Sequence, residues 1–366
     1  MKRERIHSAG PSITQLEIDT VTDAATTGFY SNYRNYIEKF ETEFAKYVGA
    51  KYAIATTSAT TAMHLMVVTA GLGPGDEVIV PDLSWIASAS VHTYAGATPV
   101  FVDIEPDTWT ISPEKLEAAI TPRTKAVMPV DLYGHAVDYD AIVPICRKHG
   151  LTIIADSAPA VGTLLNGRST ASYADMAAYS FQGAKMMITG EGGMFVTNDE
   201  ELFRKADQLA EDGRTPGTFW IERIGYHYRM SNLSASLGYA QLQRVEELVA
   251  MKRQLFDWYH AHLGDIPGIS MFKERANCRA NCSYPSILLT GTFKVDRDGL
   301  REQLRERRID TRPIFPVMSQ FPMFETVDNP VARRVAETGI NLPTAAYLDQ
   351  EDVADICNAV KEILGV

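Results

Sequence analysis

The sequence predicts an α/β protein, with a mostly parallel central sheet flanked by helices and a smaller C-terminal α+β domain. Three observations carry that expectation. From residue 51 to about 200, short continuous apolar runs alternate with helical patterns. Runs of that kind mark strands buried on both faces, which the crossover helices of a parallel sheet require. A long helical pattern then spans 232–262, and beyond about 265 short strands mix with helices in a different texture. The domain boundary is placed between 245 and 246, giving a large domain of residues 1–245 and a small domain of residues 246–366.

Taken in order, residues 12–50 read as helical and end at the glycine stop of FETEFAKYVGA. The strand-like runs follow: YAIAT (52–56), EVIVP (77–81), TPVFVDI (98–104), KAVMPV (125–130), LTIIAD (151–156), MAAYSF (176–181) and GGMFVT (192–197). Amphipathic stretches from Thr60 to Ala70 and at PEKLEAAI (113–120) supply helices between them. The 232–262 stretch has heptad-like spacing of Leu, Val and Met and suits a bridge between domains. SYPSILLT (283–290) reads as a strand, and DRDGLREQLRER (296–307) and QEDVADICNAVKEIL (350–364) as helices. In such a sheet, function belongs at the carboxyl ends of the strands.

A chain of 366 residues suffices for a large domain plus a small one. Its net charge of −11 argues against a nucleic-acid partner, which would need a basic stripe. An anionic small molecule stays open, because local clusters outweigh the total. The N-terminal MKRERIHSAGPSITQLEIDT has basic residues but no apolar segment behind them, so no secretory signal is expected. No run approaches the roughly 18–20 apolar residues of a membrane span. Of Cys146, Cys278, Cys282 and Cys357 only Cys278 and Cys282 lie close together, so no zinc site and no metal are expected. A reduced, cytoplasmic protein follows as the simplest expectation.

Two strand ends carry the chemistry. Asp156 follows the apolar residues of LTIIAD, and Lys185 follows MAAYSF in YSFQGAKMMITGEGG. Each has a plain reading, an acidic cap for the turn and a surface lysine. Together, a carboxylate and a lysine on strand ends suit pyridoxal phosphate: the amine binds the aldehyde and the carboxylate keeps the ring nitrogen protonated. A phosphate would seek backbone amides at a helix start. IATTSATTAMHL supplies one, with Thr60 and Thr61 at its first positions, although Ser58 or Thr60 could simply be an N-cap. Trp85, just past EVIVP, could stack on a flat heterocycle or belong to the core. His64 reads as structural, His135 either faces the site or caps a turn, and Arg229 either binds the co-substrate carboxylate or, the reading favoured, forms a structural ion pair.

The ordered set SATTA, GPGDEVIVP, Trp85, FVDI, PVDLYGH, IIADSAPAVG, YSFQGAK…TGEGGMFVTND, YHYRMSNLSASLGYAQL and RPIF…NLP resembles the DegT/StrS-type sugar aminotransferases. These are fold-type I pyridoxal-phosphate enzymes, and the resemblance runs from about residue 8 to residue 364, with a layout nearest to the GDP-perosamine synthase-like branch. It implies Lys185 as the lysine bound to the cofactor, Asp156 as the partner of the pyridine nitrogen and Trp85 on the ring face. Thr60 and Thr61 match the phosphate turn, with Ser180 adding its hydroxyl. His227 stands where the family has an Asn that reaches the phosphate from the other subunit, which implies a homodimer with shared active sites. The segment 26–36, with Ser31, Asn32 and Arg34, would border the substrate, and GEGG (190–193) would be a tight turn without direct chemistry.

Other departures from the pattern are Ala59 for Gly, Pro159 in ADSAP, and Asp131 for the His of PVHLYG, where a carboxylate would repel an anion or bind a sugar hydroxyl. The implied reaction moves the amino group of L-glutamate to a keto sugar, a nucleotide-linked 4-keto-6-deoxyhexose, making an amino sugar for cell-surface polysaccharide or lipopolysaccharide. The alternatives are an unactivated keto sugar such as an 8-keto 3-deoxy-octulosonate, a keto-cyclitol, or dehydration on the same fold. Related dehydratases carry His in place of the lysine, so Lys185 speaks against the last. A non-enzymatic regulator fits poorly with a full set of cofactor residues.

Overall fold

The computed structural model describes residues 4–215 and 217–366. The strands are β1 (Tyr52–Thr56), β2 (Glu77–Pro81), β3 (Thr98–Val102), β4 (Thr124–Val127), β5 (Thr152–Asp156), β6 (Leu164–Leu165), β7 (Arg168–Ser169), β8 (Met176–Ser180), β9 (Gly193–Thr197), β10 (Ile269–Ser270), β11 (Cys278–Arg279), β12 (Ser286–Leu289), β13 (Arg312–Pro313) and β14 (Gly339–Asn341). Seven of them form the central sheet in the order β1-β9-β8-β5-β4-β2-β3. The pairings among β3, β2, β4, β5 and β8 are parallel, and β9 alone runs against its neighbours β8 and β1. All seven apolar runs of the sequence therefore become neighbours in one sheet. Every residue of β2, β8 and β9 is buried, as continuous apolar strands demand.

Helices cover both faces. The expected 12–50 helix is two helices, α1 (Gln15–Thr27) and α2 (Asn35–Val48). The break begins at Gly28, where a Cβ would fall 2.3 Å from the Asn232 side chain and 2.4 Å from the Ala24 carbonyl oxygen. α2 buries Tyr36, Ile37, Phe40, Phe44 and Val48, one stripe at helical spacing. Phe40 and Phe44 pack their rings 5.1 and 5.3 Å from Phe181, with Phe44 also 5.1 Å from Tyr179. Burying each such ring contributes on the order of 2–3 kcal/mol. This cluster fixes β8 and the first residue of the loop that carries Lys185. Helices α3 (Ala59–Ala70) and α4 (Ala87–Tyr94) follow β1 and β2.

The 232–262 stretch also divides, into helices Asn232–Gln243 and Val245–Leu263 around Arg244, whose φ of −112° is not helical. Its guanidinium meets Glu17 on α1 at 2.8 Å and Glu247 at 2.7 Å, so the break coincides with the clasp that holds α1 down. The small sheet has the order β10-β12-β14-β13. The N-terminal stretch lies along this C-terminal part: Ile6 bridges Ile309, and Ser8 and Gly10 accept hydrogen bonds from Thr344 and Ala346. Among the described residues no helix is long and apolar enough to cross a membrane, and no group of three His, Cys, Asp or Glu side chains could hold a metal.

Candidate active site

β5 and β8 lie side by side in parallel, with Asp156 opposite Ala178, so both release their next residues at the same edge. Asp156 closes β5 there. After Ser180, the chain folds into a tight loop: Phe181 and Gly183 donate their amides to the carbonyls of Gly192 and Gly190, each at 2.9 Å. Met186, Met187 and Ile188 bury themselves behind the loop. Lys185 is thereby held half-buried between two anchored segments, with its amide on Gln182 O at 2.8 Å. Gly190 turns the loop back with φ +83°, a conformation that favours glycine.

Lys185 points its amine into a cavity of about 430 Å³ at the strand ends, which Asp156, Ser180, Trp85, Ala59 and Thr60 also line. That amine has no hydrogen bond or ion pair among the described residues. Burial lowers the pKa of Lys185, and the charge of Asp156 partly offsets the shift. Burial raises the pKa of Asp156. Ser88 donates to its Oδ2 at 2.6 Å and the Ala158 amide to its Oδ1 at 3.1 Å, and these bonds and Lys185 pull the other way. Two neutral donors leave carboxylate lone pairs unused, ready for another donor.

The helix start stands across the cavity. Ser58 caps α3 by accepting from the Thr61 amide at 3.1 Å. The amides of Ala59 and Thr60, the first of the helix, meet no protein acceptor among the described residues, so they and the helix dipole present an anion site. β9 passes so close behind this turn that a Cβ on Gly193 would lie 2.4 Å from the Ser58 carbonyl. Ala59 is nearly buried at the first helical position, so a Cβ is accommodated there.

The structure sorts the residues singled out in the sequence. Lys185, Asp156, Thr60, Ser180 and Trp85 converge on one cavity. Trp85 is 60% exposed and sits 5.8 Å from the Phe315 ring. The Thr61 hydroxyl is turned to its own helix cap, accepting from the Ser58 amide at 3.0 Å and donating to the Ser58 carbonyl at 2.8 Å. His227 lies outside this cavity, its side chain 85% exposed and 3.1 Å from Asp212. Arg229 is ion-paired with Glu41, Asp207 and Glu211. Arg34 pairs with Glu211 and Glu38.

Two expectations need correction. Asp131 meets no ligand space: it is completely buried, accepting from the Val137 amide at 2.9 Å and the Ser157 hydroxyl at 2.7 Å. Burial raises its pKa to about 6 against those hydrogen bonds. GEGG is more than a turn, because Glu191 joins the cavity wall. Sequence reasoning also missed Ser88, Gln182, Tyr284 and Phe315. Only Ser88 had a local signal, one helical turn beyond Trp85 on the same face.

An unpaired lysine and a hydrogen-bonded buried carboxylate, set against a helix N-terminus at the carboxyl ends of a parallel sheet, define an enzyme site for a phosphorylated carbonyl cofactor. Comparison with known proteins agrees. The model of the DegT/DnrJ/EryC1/StrS aminotransferase family matches residues 11–361. The GDP-perosamine synthase of Caulobacter vibrioides is 39% identical over 98% of both chains, and that of Vibrio cholerae 36% identical over 96% of this chain and 97% of its own. Among solved structures, a putative sugar aminotransferase from Streptococcus pneumoniae in its PMP form superposes with a TM-score of 0.93 at 27% identity, covering 98% of this chain and 99% of that one. PseC of Helicobacter pylori, an aminotransferase involved in the biosynthesis of pseudoaminic acid, gives 0.93 at 25% identity over 99% and 100%. The chain belongs to the DegT/DnrJ/EryC1/StrS aminotransferase family.

Proposed function

We propose that this enzyme is a pyridoxal-phosphate-dependent sugar aminotransferase, taking the amino group of L-glutamate and delivering it to a keto sugar. The observation that carries this reading is the free amine of Lys185 beside the Asp156 carboxylate in one cavity. The residues fit the cofactor. Lys185 would hold its aldehyde carbon, Asp156 its ring nitrogen, and Trp85 would cover a ring face. The Ala59 and Thr60 amides, with the Ser180 hydroxyl, would hold its phosphate; Thr61 would contribute through the cap that orients those amides. When bound, pyridoxal phosphate supplies a carbonyl that carries the amino group and a ring that accepts the electron pair left when the Cα proton departs.

The chain's own groups do the rest. Ser88 and the Ala158 amide hold the Asp156 carboxylate in place, where it would meet the ring nitrogen of a bound cofactor. The lowered pKa of Lys185 favours the neutral amine, which can attack a carbonyl and then take a proton from substrate Cα. L-glutamate leaves as 2-oxoglutarate, and a keto sugar leaves as an amino sugar. The relatives called GDP-perosamine synthases support a nucleotide-linked 4-keto-6-deoxyhexose as acceptor, and a relative named a spore coat polysaccharide biosynthesis protein supports a cell-surface product.

Several finer features belong to the same proposal. Phe29, Tyr30 and Tyr33 on one segment, and Phe219, Trp220, Ile221 and Ile224 on another, are exposed apolar side chains that support a homodimer. In that dimer His227, exposed here, would reach the partner's cofactor phosphate. Four free, buried cysteines support a reducing, cytoplasmic setting. The start of helix Val245–Leu263 supports a domain boundary at 245/246. Lys185→Ala tests the reading: amino transfer to a panel of keto sugars and the absorbance shift of bound cofactor should both vanish. Turnover retained in that variant contradicts it, and a wild-type protein active only on unactivated keto sugars redirects the substrate assignment.

A further inference from the structure

The peptide unit that joins Ala184 to Lys185 is planar, so its carbonyl and its N–H turn together, and their direction sets where the lysine side chain departs. Both ends of that unit are held. The Lys185 amide donates to the Gln182 carbonyl at 2.8 Å, within the loop itself. The Ala184 carbonyl accepts from the Tyr284 hydroxyl at 2.9 Å, across 100 positions of sequence. One unit earlier, the Ala184 amide goes to Gln182 Oε1 at 2.8 Å. Of these bonds, that of Tyr284 comes from outside the loop.

Tyr284 is itself fixed. It stands just before β12, and burial pushes its pKa up to about 12, so the hydroxyl keeps a proton to donate near neutral pH. Its ring lies 5.4 Å from that of Tyr133, Tyr133 stacks on Phe315 at 5.8 Å, and Phe315 lies 5.8 Å from Trp85. Tyr284, Phe315 and Trp85 all line the lysine cavity. The same short segment grips the loop after β5. Asn281 donates to the carbonyls of Pro159 and Val161 at 2.7 and 2.8 Å, and Ser283 to that of Pro159 at 3.2 Å. Cys282 between them holds φ +55°, a left-handed conformation that costs energy in a residue with a Cβ and persists only where its surroundings enforce it.

One segment of the C-terminal part therefore grips both loops that leave the sheet beside the cavity, the one after Asp156 and the one that carries Lys185. We propose that Tyr284 is a positioning residue for amino transfer, its hydroxyl fixing the peptide plane from which the Lys185 side chain enters the cavity. That hydroxyl is engaged by the Ala184 carbonyl, so Tyr284 acts through the lysine. An amine that must meet a cofactor aldehyde and then a substrate proton tolerates little misplacement. The proposal rests on the aminotransferase reading above.

The test compares cofactor-loaded wild type with Y284F, which keeps the ring in its aromatic row and removes only the hydroxyl. Far-ultraviolet circular dichroism verifies the fold, and rates are taken per loaded site. In Y284F, kcat with L-glutamate should fall about tenfold while its KM changes little, because one lost hydrogen bond displaces the amine without touching the donor's own contacts. Two further readouts need no turnover. The visible ellipticity of the bound cofactor, which reports a fixed asymmetric placement, should shrink. The peptide spanning residues 182–190 should exchange its amide hydrogens faster, while that of β8 should not. Unchanged kcat per loaded site overturns the proposal, and so does an effect confined to KM. A fall in kcat with ellipticity and exchange both as in the wild type overturns it too, since the hydroxyl would then act elsewhere. A wild type whose cofactor absorbance ignores L-glutamate sinks the aminotransferase reading instead, and ellipticity and exchange still decide whether Tyr284 holds Lys185.

Discussion

Glu17 on α1 and Asp156 at the end of β5 are both almost wholly buried, 1% and 4% exposed, yet their acidities move in opposite directions. Burial pushes each carboxyl up. At Glu17, hydrogen bonds from Thr14, Arg244 and Gln241 overcome that push and bring the pKa down to about 2. Asp156 receives only Ser88 and Ala158, its nearby cation Lys185 makes no ion pair with it, and the shift stays upward. Burial alone therefore does not distinguish a structural charge from a reactive one. What distinguishes them is whether the protein completes the hydrogen-bonding shell or leaves it open for something else.

Breaking each half of this comparison should have different consequences. The largest effect is expected at the open half: Asp156→Asn should slow amino transfer by roughly 10³-fold, about 4 kcal/mol, without lowering the midpoint of chemical unfolding. Lost stability with intact turnover would reverse the assignment. In the closed half, Arg244→Ala should cost about 3 kcal/mol in denaturant unfolding, because it strands a buried carboxylate, while cofactor absorbance in the folded protein stays unchanged.

The pH dependence of the same pair gives its sign. The folded pKa of Glu17 lies below its ordinary value of 4.5. Its contribution, on the order of 3 kcal/mol, is complete above that value and is lost as pH falls toward about 2. Acid titration of stability should show this slope in the wild type and a much shallower one in Glu17→Gln; equal slopes would deny the clasp its role. The smallest effect is expected at Ser88→Ala, which removes one of two donors to Asp156: about a tenfold loss of kcat with glutamate KM little changed. A change confined to KM would place Ser88 in substrate binding instead.

The sheet was legible because its strands are continuous apolar runs, and each of the seven strands begins and ends within three residues of its run. Asp156 was legible for the same reason, since it is the polar last residue of a buried strand, and Lys185 because it lies in the loop that follows the buried strand β8. Helix breaks were not. Arg244 carries no glycine or proline signal, and its φ follows from contacts with Glu17 and Glu247, far apart in sequence or visible only in three dimensions. Asp131 looked like a strand-edge ligand by the logic that succeeds for Asp156. Its carboxylate instead turns to the amide of Val137 and the hydroxyl of Ser157, a choice no local pattern records. Tyr284 and Phe315 reach the cavity from the C-terminal part; Phe315 closes the RPIF motif of the resemblance, but nothing in either segment showed that its aromatic ring would face the lysine.

The central claim is that Lys185 is the amine left open for the cofactor. Protein loaded with pyridoxal phosphate can be treated with borohydride, digested and read by mass spectrometry. The account predicts the reduced cofactor's mass on the peptide bearing Lys185 and its absence from the Lys185→Ala protein. Attachment at a different lysine, Lys252 for instance, which is buried but already donates to Thr344, would contradict it.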